Sequence, residues 1–262
     1  MKVFFRELKS GFKSFSIWTL SIAFFVGIVM LMFPEMSGNM GALDESFANM
    51  GGFTDAFGLD VLKMTTAMGF YGIESGNIVG IGTAMFAALL GINSLAKEEG
   101  KHTAEFLISH PIKRSQIVTE KFLAVLFQII LMNFIIAGVA VLSFQLIGEE
   151  IHMEQFIKLH LSTVFMNIQL ASVSFMISAF LKGGGAGIGL GLALFMYFLG
   201  IIANITDVAK DLKYITPFKY AEAAQIFSEN KLLWDLIGIG MTVSMICIFI
   251  AYWKFTRKDI AV

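Results

Sequence analysis

The apolar positions of this chain gather into six long runs, about residues 15–33, 77–96, 118–147, 156–181, 186–205 and 234–255. Shorter stretches rich in charge, Gly or Pro separate them. A run near 20 residues crosses about 30 Å of hydrocarbon at about 1.5 Å per residue, so each run predicts a transmembrane helix. The third is long enough to tilt or to extend beyond the bilayer. The first ends at Pro34-Glu35 without a small-residue cleavage site, which predicts a retained span and not a signal peptide.

The separating stretches carry their own patterns. Before the first run, residues 1–14 interleave Lys2, Arg6, Lys9 and Lys13 with Val3, Phe4, Phe5, Leu8 and Phe12. That pattern suits an interfacial helix on an anionic leaflet, with a solvated basic tail as the other reading. Residues 35–76 are Gly- and Met-rich and acidic, yet Phe47, Phe53, Phe57, Val61 and Leu62 keep them apolar enough to form short interfacial helices on the outer surface. Residues 206–233 are too charged to span but keep helical periodicity around Pro217. Residues 97–121 form the one long charged segment between two strongly apolar runs. They predict a short helix over 98–109, a turn at His110-Pro111, and a second helix from Ser115 that runs into the third span.

Composition agrees with a membrane protein and excludes a soluble globular chain: 56% of residues are hydrophobic, 15% are charged, and the mean hydropathy is +0.76. The fold class is therefore all-α and polytopic, a single transmembrane domain over 1–262 with an N-terminal interfacial helix, a cytoplasmic coupling helix and short outer-surface helices. The net charge of −1 conceals a strong asymmetry. With both termini cytoplasmic, 13 of the 19 Lys and Arg fall inside and 14 of the 20 acids outside. The opposite orientation inverts that positive-inside bias, so a multi-pass protein with both termini in the cytoplasm is expected.

Within the spans, small and polar residues define faces. The second carries Gly80, Ala84, Ala87 and Gly91 at spacings of three and four, and the fifth carries Gly187 and Gly191. Such faces let helices approach closely and are candidates for a translocation path or a helix interface. The fourth places His160, Thr163, Asn167, Ala171, Ser174 and Ser178 on one face, which either lines a path or joins helices.

Several chemistries are missing from the sequence. No G-x-x-x-x-G-K-[ST], H-E-x-x-H or G-x-S-x-G occurs, the four histidines are scattered, and the single Cys247 excludes an intramolecular disulfide. No catalytic, metal or cofactor site is expected in the chain, nor any binding of nucleic acid. No acid pair sits in mid-membrane, which argues against a self-powered secondary carrier.

The segment KEEGKHTAEFLISHPIKRSQIVTEKFLA resembles the signature stretch of the permease subunits of type-two ABC exporters. Glu99, Gly100, Thr103, Glu105, Phe106, Leu107, Ser109, Pro111, Ile112, Arg114 and Lys121 match that pattern in order, with Lys101 and His102 between the usual adjacent Gly and Thr. YITPFKYAEAAQIF and the terminal Lys258, Asp259 and Ile260 are similar to further pieces of the same family. The resemblance implies an ATP-driven export permease. Its coupling helix, carried by Glu98, Glu99, Gly100, Thr103, Glu105, Phe106, Leu107, Pro111 and Arg114, inserts into a separate ABC ATPase dimer that holds the ATP and Mg. A second copy of this chain or a related permease, together with membrane lipid, completes the expected partners. A secondary carrier or channel, or a non-transporting membrane scaffold or immunity protein, are the alternative readings.

Overall fold

A computed structural model describes residues 2–47, 54, 62–100, 113–205 and 207–258. Those residues form an all-α bundle with six helices long and apolar enough to cross a membrane. In chain order these are α1 (Lys2–Phe47), α2 (Ala67–Glu74), which continues through a π turn (Ser75–Val79) into α3 (Gly80–Gly100), α4 (Arg114–Ile147), α5 (Met153–Ser178) and α6 (Ala186–Ile205). Two 3₁₀ turns (Asp207–Tyr214 and Lys219–Ala221), the short α7 (Ala223–Glu229) and α8 (Trp234–Arg257) complete the chain.

The centre of the bundle is α3. None of its described side chains is exposed, and α4, α5 and α6 all pack on it. Its most extensive partner is α5, because Gly91 lets the two backbones meet. A Cβ on Gly91 would lie 2.3 Å from the Ala171 carbonyl oxygen and 2.8 Å from the Ser174 Cβ. Around this pair, α1, α4, α6 and α8 turn apolar side chains such as Phe24, Phe134, Phe195 and Phe249 outward. Those surfaces suit lipid, since hydrocarbon solvates such side chains as well as a protein core does.

Three expectations about helix ends change. First, residues 1–14 and the first span are not separate elements: α1 is unbroken from Lys2 through Phe47, and Pro34 lies inside it. The Ser37 hydroxyl donates to the Pro34 carbonyl oxygen at 3.1 Å in the turn after the proline. A helix of 46 residues is about 69 Å long, so it extends well beyond the hydrocarbon. Second, residues 67–74 do not form a separate, exposed helix but lead directly into the second span. They are buried from Ala67 through Ile73, because Phe70 packs on Phe33 and Tyr71 on Phe144 and Phe156. Thr66 caps this helix by accepting from the Gly69 amide at 3.1 Å, and a Cβ on Gly69 would stand 2.1 Å from the Lys63 carbonyl oxygen. Third, α3 runs on to Gly100, so Glu98, Glu99 and Gly100 form its last turn and do not open a new helix. The remainder of the expected short helix and its proline turn, 101–112, lies outside the described residues.

The close approach at Gly91 makes a measurable demand. Gly91→Leu overpacks the α3–α5 contact and is expected to destabilise the chain by about 1–3 kcal/mol, whereas Phe195→Leu, on an outward face, leaves it within error. Thermal unfolding of the detergent-solubilised variants checks this, and equal midpoints would remove Gly91 from the packing argument.

Candidate functional site

The described charges between α1, α3 and α4 converge at one end of the bundle. An ammonium withdrawn from water needs a carboxylate and further acceptors, and Lys121, whose side chain is 0% exposed, has both. Its Nζ donates to Glu7 Oε1 at 2.9 Å and to the Ser94 carbonyl oxygen at 2.8 Å. Lys97, in the last turns of α3, donates to Ser10 Oγ at 2.8 Å and stands 3.6 Å from the other Glu7 oxygen. One carboxylate on α1 therefore bridges the end of α3 and the start of α4.

The neighbouring Glu120 points to a different part of α1. Its Oε2 accepts from the backbone amides of Val3 and Phe4 at 2.8 and 3.1 Å, and Gln116 steadies its Oε1 at 2.9 Å. A carboxylate there satisfies amides that a helix start leaves without partners and opposes the positive end of the helix dipole. The C-terminal end of α8 is held in the same region. Arg114 donates from Nη1 to the Lys258 carbonyl oxygen at 2.6 Å and to that of Thr256 at 3.4 Å. Lys258 in turn donates to the Leu181 carbonyl oxygen at 2.8 Å. The first turns of α1 and the last turn of α8 thus both meet the start of α4.

Of the expected coupling residues, Glu98, Glu99 and Gly100 end α3, Arg114 binds the α8 terminus, and Thr103, Glu105, Phe106, Leu107 and Pro111 lie outside the described residues. Among the small residues, Ala84 and Ala87 are fully buried and Gly91 meets α5 of the same chain. A Cβ on Gly80 would stand 3.6 Å from the Ser75 carbonyl oxygen, an ordinary contact with the π turn that precedes it. Gly187 and Gly191, in contrast, have nothing within 4 Å among the described residues and face open space.

The polar face of α5 is turned into the bundle. Thr163 donates to its own helix at the Leu159 carbonyl oxygen, Asn167 Oδ1 accepts from Thr83 of α3 at 3.3 Å, and Ser178 Oγ accepts from the Leu95 and Ala96 amides at 2.9 Å each. Ser174 Oγ and Asn167 Nδ2 are buried without a partner among the described residues.

A family model described as ABC-2 family transporter protein matches residues 1–260, nearly the whole chain. The chain belongs to this family. It is accordingly a multi-pass membrane component of an ABC transporter, the transmembrane subunit and not the ATPase, and ABC-2 permeases work with an ABC ATPase subunit. No curated protein matches the chain.

Sequence reasoning missed Glu7 as a site residue. The signal was present, since Glu7 is the lone acid among Lys2, Arg6, Lys9 and Lys13. The adjacent Glu120 and Lys121 at the head of an apolar run were a second signal, as charges in that position need partners. Removing one partner of a buried pair strands the other. Glu7→Gln is expected to cost on the order of 3 kcal/mol, and Glu7→Gln/Lys121→Met to recover at least half of that loss. A double-mutant cycle in thermal unfolding measures both, and additive effects would show that the two residues are not coupled.

Proposed function

We propose that this chain is the permease half of an ATP-driven exporter. In this reading its helices form the translocation path, and the segment between α3 and α4 docks a separate ATPase that holds the ATP and Mg. The observation that carries the reading is the ionic cluster of Glu7, Lys97 and Lys121, seen in a chain matched by the family model over residues 1–260. The cluster ties both ends of the 97–121 segment to α1, so a push on that segment moves α1, α3 and α4 together. Such a lever suits a subunit that receives work from a partner and performs no hydrolysis itself.

The permease works as a pair, with a second copy of itself or a related permease, and the open face of α6 at Gly187 and Gly191 is the first candidate for their contact. Gly80, Ala84, Ala87, Gly91, Thr163, Asn167 and Ser174 then shape the path's supporting helices from inside each subunit. Both termini and the docking segment are cytoplasmic in a bacterial cell membrane. The meeting of the first turns of α1 and the last turn of α8 at the start of α4 supports a common side for them, and the distribution of Lys and Arg supports that side being the cytoplasm.

Two experiments test this. Glu105→Ala is expected to weaken co-purification with the cognate ATPase, or to uncouple its ATP hydrolysis in proteoliposomes, while the unfolding temperature of the permease stays the same. Retention of both partnership and coupling would remove the docking assignment. Single cysteines at Ser46 and Lys101 in a Cys247→Ser background test sidedness: an impermeant thiol reagent on intact cells is expected to label the first and not the second. Equal labelling would overturn the topology.

A further inference from the structure

Between α1, α3 and α4 lies a cavity of about 510 Å³, within the range of small-molecule and cofactor pockets. It forms because α1 packs along α4 and meets α3 at two levels. One is the ionic cluster, where Lys97 reaches Ser10 and Glu7. The other is an aromatic contact, where Phe86 meets Phe15 and Trp18 at ring-centroid distances of 6.2 and 6.0 Å. The cavity fills the gap between these levels, so its mouth is charged and its deep end is aromatic.

Its dimensions and lining describe the occupant. From residue 97 to residue 86 the α3 wall is about 16 Å long at about 1.5 Å per residue, close to half of the roughly 30 Å hydrocarbon thickness. The cavity therefore reaches from the membrane surface to near mid-membrane, one leaflet deep. Its deeper walls are apolar, with Phe86, Leu90 and Val125 among them, while two lysines and one glutamate are the charged residues lining it. At mid-depth Gln128 is only 6% exposed, and its Oε1 has no hydrogen-bond partner among the described residues. That oxygen faces α1, 3.2 Å from where a Cβ on Gly11 would stand. A buried acceptor of this kind is satisfied by a water or a ligand hydroxyl, so the cavity is not a dry packing defect.

We propose that this cavity binds one anionic glycerophospholipid from the leaflet on the Lys97 side. Its phosphate is held by Lys97, one acyl chain lies against Phe86, Leu90 and Val125, and Gln128 Oε1 accepts from a water carried in with it. Basic pockets between transmembrane helices select anionic headgroups, and here a one-leaflet apolar wall continues directly from the basic mouth. The site lies inside one subunit and does not depend on the ATPase reading, so its test reads binding and not transport.

Trp18 at the deep end supplies the probe. The full chain carrying Trp234→Phe and Trp253→Phe, which leaves Trp18 as the only tryptophan, is placed in phosphatidylcholine nanodiscs. Phosphatidylglycerol with brominated acyl chains is then titrated in, and brominated phosphatidylcholine serves as the comparison. Phosphatidylglycerol is expected to quench Trp18 saturably at a mole fraction about fivefold lower, and Lys97→Gln to abolish that preference, consistent with one surface-side lysine. Ser14→Phe, which fills the cavity beside its aromatic end without changing charge, is expected to weaken quenching as well and guards against a misfolded Lys97 variant. Equal quenching by the two lipids would overturn the proposal. So would a preference that survives Lys97→Gln, since general attraction to the basic turns of α1 then explains it. Loss of the preference on adding inorganic phosphate alone would reassign the site to free phosphate and overturn the lipid.

Discussion

A lysine ammonium shut away from water constrains everything near it, and Lys121 is that constraint here. Its Nζ requires acceptors on other helices, and it finds Glu7 on α1 and the Ser94 carbonyl on α3. Because Glu120 precedes it and holds the first amides of α1, two consecutive residues of α4 fix both the axial position of α1 and its angle around α4. The long, unbroken α1 follows from this arrangement. Residues that read as a surface helix are instead drawn into the bundle, since Val3 is 3% exposed and its amide is bonded to a carboxylate from another helix. The basic residues Lys2, Lys9 and Lys13 project from the other side of the same turns, which satisfies both the ionic cluster and an anionic leaflet.

The remaining cohesion is of a different kind. Between helices in lipid, hydrocarbon competes evenly with protein for apolar surface, so close backbone approach and buried hydrogen bonds decide which helices stay together. The α3–α5 pair has both: Gly91 against Ala171 and Ser174, then Thr83 with Asn167 and Ser178 with the Leu95 and Ala96 amides. Placing this pair at the centre leaves α1, α4, α6 and α8 around it with one face inward and one toward lipid. The same logic explains why Gly187 and Gly191 of α6 stand out. They have the composition of a close contact but have no neighbour among the described residues.

The six spans and the all-α class were legible because a run of about 20 apolar residues has few other uses. The polar face of α5 was legible as well, since helical period alone places His160, Thr163, Asn167 and Ser174 together. What that face meets was not legible, because periodicity reports which residues share a side and not what lies opposite. Gly91 and Gly187 illustrate the point: both sit in small-residue patterns, yet one touches α5 and the other faces open space. Hydropathy could not separate them, as lipid and protein interiors are equally apolar. The unbroken passage of α1 through Pro34 and of α2 into α3 through a π turn also escaped detection. Proline inside a helix costs about 3 kcal/mol and glycine about 1, and packing such as Phe33 on Phe70 and Tyr71 on Phe144 favours continuing the helices against that cost.

The two ends of the bundle are held by unequal means, and this bears on which end can part. At the end with the ionic cluster, separating α1 from α4 strands the buried Lys121, a cost of about 3–5 kcal/mol by the usual measure of a broken buried pair. At the opposite end the ties between elements are largely neutral, apart from the Lys158 ammonium of α5, which donates to Asn230 just past α7. Tyr71 bonds His160 at 2.8 Å, Tyr197 bonds Asn77 at 2.9 Å and Tyr220 bonds Gln169 at 2.7 Å. Bonds of that class contribute about 0.5–1.5 kcal/mol each, and water entering an opening can replace them. The Lys219–Glu222 ion pair there lies within one connecting segment and, among the described residues, reaches α6 through Asn204. A motion that keeps the ionic cluster closed and loosens the tyrosine contacts is therefore the one of lower cost. On that accounting α1, α3 and α4 stay together at the ends that flank residues 101–112, and the far end of α3, where the π turn interrupts the regular hydrogen-bond ladder between Gly72 and Gly80, is where the bundle is held least firmly.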